Sequence, residues 1–289
     1  MSGPIVVGVD GSESALTAVR WAAEEAVRVR VPLELVHAYA LPVHAYPEMV
    51  MTGPEVQEAF EEQGRQWLEQ AAASVRDLVP DPKTSIVARQ PSAAMVDASR
   101  DARLVVLGSQ GLGGFSGLVV GSVAVAVATH GECPVVVVRG EARTGGPVVV
   151  GVDGSPAAEE AIDFAFQAAS MRGTSLVALL AWTALFAEAP YADRLRVDWD
   201  DVAEQQRQLL AQRLAGRLED YPDVAVDRRV VRERPAKALL DAAREAQLLV
   251  VGSRGRGGFA GLLLGSTSQA MVYHSPCPVA VVRPTGSRT

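Results

Sequence analysis

The chain has 289 residues, 48% of them hydrophobic and 21% charged, and a formal net charge of −7. That balance argues against a general nucleic-acid binder, which needs a basic face, and no run of about 18 apolar residues offers a membrane span. Two cysteines in so long a chain point to a reducing compartment, and Met1-Ser-Gly-Pro4 leads straight into a strand pattern with no secretory leader, so the expected location is the cytoplasm.

Pro4 to Asp10 is apolar without alternation, the pattern of a strand covered on both faces. Gly11-Ser12 reads as a turn with Ser12 as N-cap, and from Glu13 to Arg30 apolar residues recur at helical spacing. Leu33 to Tyr39 is a second strand, Leu41 to Met51 a loop, and Gln57 to Val79 a long polar helix carrying Phe60, Trp67 and Leu68. A short strand at Thr84 to Arg89, a helix at Ala93 to Arg103 and a strand at Leu104 to Leu107 follow. A glycine-rich loop, a helix from Ser122 to about His130 and a strand at Val135 to Val138 complete the first half.

The second half repeats that order. Val148-Val-Val-Gly-Val-Asp-Gly-Ser155 matches Ile5-Val-Val-Gly-Val-Asp-Gly-Ser12, and Leu248 to Arg283 matches Leu104 to Arg139, so that Gly108 corresponds to Gly252 and Cys133 to Cys277. The expected elements are a strand at Pro147 to Asp153 and a helix capped by Ser155 with Pro156 at its first position. A strand at Leu176 to Trp182, a helix at Ala203 to Glu219, a strand at Val224 to Val231 and a helix at Ala236 to Ala246 come next. The last are a strand at Leu248 to Val251, a helix from Ser266 and a strand at Val279 to Val282. Two copies of a domain of roughly 140 residues fit this better than a solenoid of 20–50-residue repeats. The domains are placed at 1–140 and 147–285, with 141–146 as a polar, glycine-rich linker. Alternating β and α elements with wholly apolar strands predict a doubly wound, Rossmann-like parallel sheet with helices on both faces in each domain.

Both copies carry G-x2-G-x9-G-S: Gly108, Gly111, Gly121, Ser122, and Gly252, Gly255, Gly265, Ser266. A strand, a glycine loop and a helix N-terminus together make a place for phosphate, because backbone N–H groups point outward and the helix dipole favours negative charge. The loop is not a P-loop, since no glycine precedes a lysine, and it lacks the G-x-G-x-x-G dinucleotide fingerprint. In doubly wound sheets ligands bind where the winding reverses. If the first and fourth strands are neighbours, Asp10 and the glycine loop face one crevice.

With V-G-V-D-G-S, the G-x2-G-x9-G-[ST] loop and the closing H-x-x-C-P-V strand (His130 to Val135, His274 to Val279), the chain resembles the universal stress protein family in its tandem form. The resemblance covers nearly all of both halves. It implies a five-stranded parallel sheet per domain, ATP as ligand, with Mg2+, final strands (Val135–Val138 and Val279–Val282) that are sheet edges able to pair either the domains or the chains, and a homodimer. It places Asp10 or Asp153 by the ribose and phosphates, after Gly8 and Val9 or Gly151 and Val152, and Ala38 or Ala181 against adenine. The loop glycines, Ser122 with Val123 and Ala124, and Ser266 with Thr267 and Ser268 would cradle the phosphates. Copy two has Arg254 and Arg256 where copy one has Gln110 and Leu112, and hydroxyls at Thr267 and Ser268, so it is expected to hold a triphosphate more firmly.

The glycines could also serve tight turns alone, and the aspartates could be turn formers. Cys133 and Cys277 read as buried structural thiols, and His130 and His274 as helix-end residues. His37 and His44 lack partners at metal spacing. No catalytic set emerges, which favours a nucleotide-binding stress regulator, with an unidentified regulatory protein as partner, over an enzyme. A slow ATPase, a nucleotidyl transferase and a scaffold without nucleotide stay open as alternatives.

Overall fold

The computed structural model describes residues 3–41, 54–112, 120–140, 143–155, 158–183, 198–255 and 263–284. The expected loop from Leu41 to Met51 with His44, the tips of both glycine loops with Arg256, and Pro156 fall wholly or almost wholly outside them. Contacts divide the chain between Arg139 and Gly140 into two units.

Unit 1 runs β1 (Ile5–Gly8), α1 (Glu13–Val29), β2 (Leu33–Tyr39), α2 (Pro54–Ser74), β3 (Lys83–Ala88), α3 (Pro91–Ala98), β4 (Leu104–Gly108), α4 (Ser122–His130) and β5 (Val135–Val138). Its strands lie in the order β3-β2-β1-β4-β5, all parallel. Unit 2 repeats this with β6 (Val148–Gly151), α5 (Glu159–Arg172), β7 (Leu176–Trp182), α6 (Trp199–Asp220), β8 (Val226–Arg232), α7 (Pro235–Ala242), β9 (Leu248–Gly252), α8 (Ser266–His274) and β10 (Val279–Val282). Its order is β10-β9-β6-β7-β8, again parallel.

The strands are apolar throughout because helices cover both faces. α1 and α2 pack on one side of the first sheet and α3 and α4 on the other, and the second unit does the same with α5 and α6 against α7 and α8. Ile5, Val7, Val105, Val106, Val136 and Val137 are all 0% exposed. Each such side chain contributes about 1.5–3 kcal/mol relative to staying in water. The chain winds outward from β1 through β2 to β3, then returns to lay β4 on the other side of β1, in register Ile5 to Leu104 and Val7 to Val106. The reversal lies between β1 and β4, as it does between β6 and β9.

Most predicted elements stand within a few residues of their expected bounds. α3 stops at Ala98, five residues short of Arg103, because Ser99 closes it and its Oγ caps Glu132 N–H at 2.8 Å. The N-cap expected at Ser155 is a correction. α5 begins at Glu159 behind Ala158, with no side-chain cap. Ala158 N–H instead bonds Ser155 O at 3.1 Å, a tighter i to i+3 turn. Ser12 does cap α1, accepting from Ala15 N–H at 3.1 Å.

The ends of the paired helices differ too. α5 closes on Gly173 at φ 60, whereas α1 closes on Arg30 at φ 54, the one described non-glycine residue with positive φ. A side chain there costs about 1 kcal/mol. Arg30→Gly is therefore expected to raise stability by about that much, read as a higher urea midpoint at unchanged slope. Both cysteines are buried and free. Burial pushes the Cys133 thiol up to about 12 and the Cys277 thiol upward as well. At pH 8 about one Cys133 in ten thousand is a thiolate, the reactive form. Iodoacetamide should leave Cys133 unmodified in the folded protein and label it fully after denaturation, as intact mass would show.

Candidate functional site

At the carboxyl end of β1 the chain turns through Asp10-Gly11-Ser12. Gly11 sits at φ 82 and Gly154, its counterpart, at φ 74, a region that glycine enters without strain. The turn lets Asp10 face two ways. Its Oδ1 accepts from Ser12 N–H at 3.1 Å and from Ser12 Oγ–H at 2.7 Å, while Oδ2 accepts from Leu112 N–H at 3.3 Å. A carboxylate from the first turn is thus tied to the glycine loop after β4. Gly111 makes that approach possible, since a Cβ there would collide with Asp10 Oδ2. Gln110 N–H adds a bond to Ser14 Oγ at 3.3 Å, and a Cβ on Gly108 would come within 2.7 Å of the Ser14 hydroxyl.

Gly121 is different. It bonds through its N–H to Ser109 O at 2.7 Å and sits at φ −70, ψ 146, open to any residue. A Cβ on it would find its nearest neighbour at 3.7 Å, an ordinary contact. Neither backbone nor packing requires glycine there. What its small size leaves open is the loop concavity over the start of α4, whose first N–H groups have no intrahelical partner. Gly265 repeats this at φ −71, ψ 153, with its N–H on Ser253 O at 2.8 Å and its nearest Cβ neighbour at 3.5 Å.

A cavity of about 410 Å³ fills the crevice of unit 1. Gly8, Val9, Asp10, Ala38, Gly108, Gly111, Gly121, Ser122 and Val123 all line it, which brings together every unit 1 residue expected at the site. Val36, Pro91, Met95, Leu107 and Val120 form apolar walls that the repeat pattern had not singled out. The cavity lies in the size range of small-molecule sites.

In unit 2, Asp153 Oδ1 accepts from Ser155 N–H at 2.9 Å and Ser155 Oγ–H at 2.7 Å, and a Cβ on Gly255 would come within 2.7 Å of Asp153 Oδ2. The same carboxylate-to-loop approach therefore recurs. Gly151, Val152 and Ala181 stand at the carboxyl ends of β6 and β7, and Gly252, Arg254, Gly265, Ser266 and Thr267 surround the second loop. One expectation changes. Ser268 is buried and its Oγ donates to Gly252 O at 2.5 Å, so its hydroxyl pins the end of β9 and only its backbone belongs to the cradle. Ser253 Oγ, also buried, has no hydrogen-bond partner among the described residues.

Sequence pattern missed what supports the first turns from below. In unit 1 the Trp67 ring of α2 lies against Gly11, and His37 Nδ1 sits 2.8 Å from Val9 O with its ring edge-on to Trp67 at 5.1 Å. His37 is thus a buried prop for the end of β1. In unit 2, Arg213 of α6 reaches the same turn, with Nη2 donating to Gly154 O at 2.8 Å and Nη1 to Glu159 Oε1 at 2.9 Å. The only hint was a large residue on the long helix of each copy. Among the described residues no group of His, Cys, Asp and Glu is placed to hold a metal ion, and no helix is long and apolar enough to cross a membrane.

With this geometry in place, a family model described as "Universal stress protein family" matches residues 1–139 and 146–283. A universal stress protein of Mycolicibacterium smegmatis is 42% identical over 292 aligned positions, covering 97% of each chain. One of Mycobacterium tuberculosis is 40% identical over 289, covering 96% of each. Among solved structures, a universal stress protein of Archaeoglobus fulgidus superposes with a TM-score of 0.73 at 20% identity, covering 99% of this chain and 100% of its own, a likeness of fold.

Because Asp is a better N-cap than Gly by a few tenths of a kcal/mol, Gly121→Asp and Gly265→Asp should melt no lower than the parent in the absence of ligand. Each should nonetheless close its own cradle. A thermal melt beside a titration with Mg-ATP separates the two effects, and a variant that binds as tightly as the parent would remove the cradle from the site.

Proposed function

We propose that this chain, which belongs to the universal stress protein family, binds ATP with Mg2+ at its glycine loops and acts as a nucleotide-dependent regulator of the stress response. The observation that carries this reading is the cradle at Gly121 and Gly265. Glycine stands there although neither its φ nor its neighbours demand it, and the space it leaves lies over unpartnered helix amides. Such a concavity suits a phosphate. Beside it in unit 1, Val36, Ala38, Met95 and Leu107 offer an apolar slot suited to a flat base.

In this reading the protein is a receptor and not an enzyme. The described residues that line the unit 1 cavity are glycine or apolar apart from Gln110, Ser122 and one carboxylate, Asp10, whose oxygens already accept three hydrogen bonds. Asp10 ties the first turn to the glycine loop, so an occupant of the cavity would touch two segments joined by one side chain. Nucleotide load would then set the posture of those segments and the choice of a regulatory protein partner. A homodimer, which rests on the family resemblance alone, and a cytoplasmic location, which rests on the low cysteine count, complete the proposal.

Native mass spectrometry of the full chain, followed by denaturation and analysis of what is released, tests it. The expected result is bound adenine nucleotide. A protein that carries none and shows no heat on titration with Mg-ATP would be a scaffold with unused loops. Steady production of ADP or AMP, lost in Asp153→Ala, would instead make it an enzyme.

A further inference from the structure

We infer that His37 is a positioning residue of the unit 1 site: it holds the carbonyl of Val9, so that the backbone N–H of Ala38 stays free to donate to the base of a bound nucleotide. The inference rests on the nucleotide reading above and adds to it the residue that readies the base end of the cavity.

β1 and β2 pair in parallel from Ile5 with Leu33 to Gly8 with Val36. One further rung follows, Val9 N–H to Val36 O at 2.9 Å. Residues two apart in a strand turn their N–H and C=O groups toward the same neighbour, so the next rung of the ladder would run from Ala38 N–H to Val9 O. That rung does not form. Val9 O accepts instead from His37 Nδ1 at 2.8 Å, and the Ala38 N–H has no hydrogen-bond partner among the described residues. A carbonyl only accepts, so the bond fixes the His37 proton on Nδ1. β2 itself runs on in register with β3 as far as Tyr39 opposite Ala88, so it is β1 that turns away. Val9 and Ala38 both line the cavity, beside the apolar walls of Val36, Met95 and Leu107. An unpaired amide at an apolar wall suits a flat base with a ring-nitrogen acceptor on its edge.

The sequence makes room for this side chain. Gly64 stands inside α2, where glycine is unfavourable, and a Cβ on it would come within 2.5 Å of His37 Cδ2. Trp67, three residues on, meets the imidazole edge-on at 5.1 Å. Unit 2 is built otherwise. Its last rung is the same, Val152 N–H to Leu179 O at 2.9 Å. Leu180 then stands in the place of His37, and Leu210, three residues before Arg213, in the place of Gly64; both leucines are buried. Leucine brings no donor, so Val152 O stays open to the N–H of Ala181, and a base must compete for that amide. In unit 1 the imidazole removes the competition before the ligand arrives.

The test uses the full chain with unit 2 closed by Gly265→Asp, and compares Mg-ATP with ribose 5-triphosphate and Mg2+, which lacks the base, by calorimetry. His37→Leu, which gives unit 1 the residue of unit 2, should cut the preference for ATP over ribose triphosphate about tenfold, the usual contribution of one hydrogen bond. Affinity for ribose triphosphate should not change. His37→Asn, which keeps an N–H donor, should restore most of the preference. Amide exchange at Ala38, read by NMR, gives an independent measure. In the unsubstituted chain this amide should exchange fast without ligand and slowly with ATP, whereas in His37→Leu it should be slow without ligand. An unchanged preference in His37→Leu, an equal loss for both ligands, or an Ala38 amide already protected in the unliganded, unsubstituted chain overturns the inference while leaving nucleotide binding intact. The last of these needs no substitution, so it decides even where His37→Leu fails to fold. An unsubstituted chain that binds neither ligand overturns the nucleotide reading as well.

Discussion

The carboxylate of Asp10 holds two loops at once, and the site depends on that. One oxygen closes the turn that starts α1, and the other takes the amide of Leu112 in the loop that leads to α4. Each is a hydrogen bond to a charged group and contributes about 1.5–3 kcal/mol. Their value is geometric. They can both form only because β1 and β4 are neighbours in register, and only because Gly111 has no side chain to push the loop away. The sheet sets the distance between the two loops, and the carboxylate fixes it. Asp153 and Gly255 make a similarly close approach in the second unit.

Around this shared frame the two units solve the same local problem by different chemistry. The turn after the first strand needs support from the helix packed below it. Unit 1 supplies an aromatic stack, with Trp67 under Gly11 and His37 bonded to Val9 O. Unit 2 supplies charge, with Arg213 bonded to Gly154 O and held by Glu159, which also binds Arg217 at 2.6 Å. The aromatic prop depends on burial and tolerates salt, whereas the ionic one is partly exposed and is screened by it. The outer ends of the sheets differ likewise. Tyr39 stacks on Phe60 in unit 1, while in unit 2 Trp182 stacks on Trp199 with Arg232 over both rings.

The fold was legible because its signals are periodic and appear twice. Apolar runs such as Val135–Val138 and Val148–Gly151 fit only buried strands, and the repeated order leaves little freedom in topology. The unit 1 candidate residues were legible for the same reason, since one motif fixed their positions relative to two strand ends. What escaped was whatever depends on a third element. Ser155 carries the residue type of a cap, yet the turn through Ala158 takes its carbonyl into a tighter bond and delays the helix. Ser268 has a hydroxyl at a cradle position, yet Gly252 O lies within reach and claims it. Trp67 and Arg213 looked like ordinary residues of a long polar helix, because nothing in the sequence says which rung of that helix passes under a turn.

The pattern of change between the copies shows where constraint ends. β1 and β6 differ at a single apolar position, as do β5 and β10, and in every case the side chain is buried among the strands and helices that define the sheet. The glycines and aspartates that shape the loops are kept in both. Gln110 and Arg254, by contrast, occupy exposed loop positions, where a substitution usually changes stability by less than about 0.5 kcal/mol. Charge at that position is therefore free to follow the ligand. A site whose shape is set by glycine and backbone, and whose charge is set by side chains the fold does not need, can be duplicated and retuned without risk to the sheet beneath it.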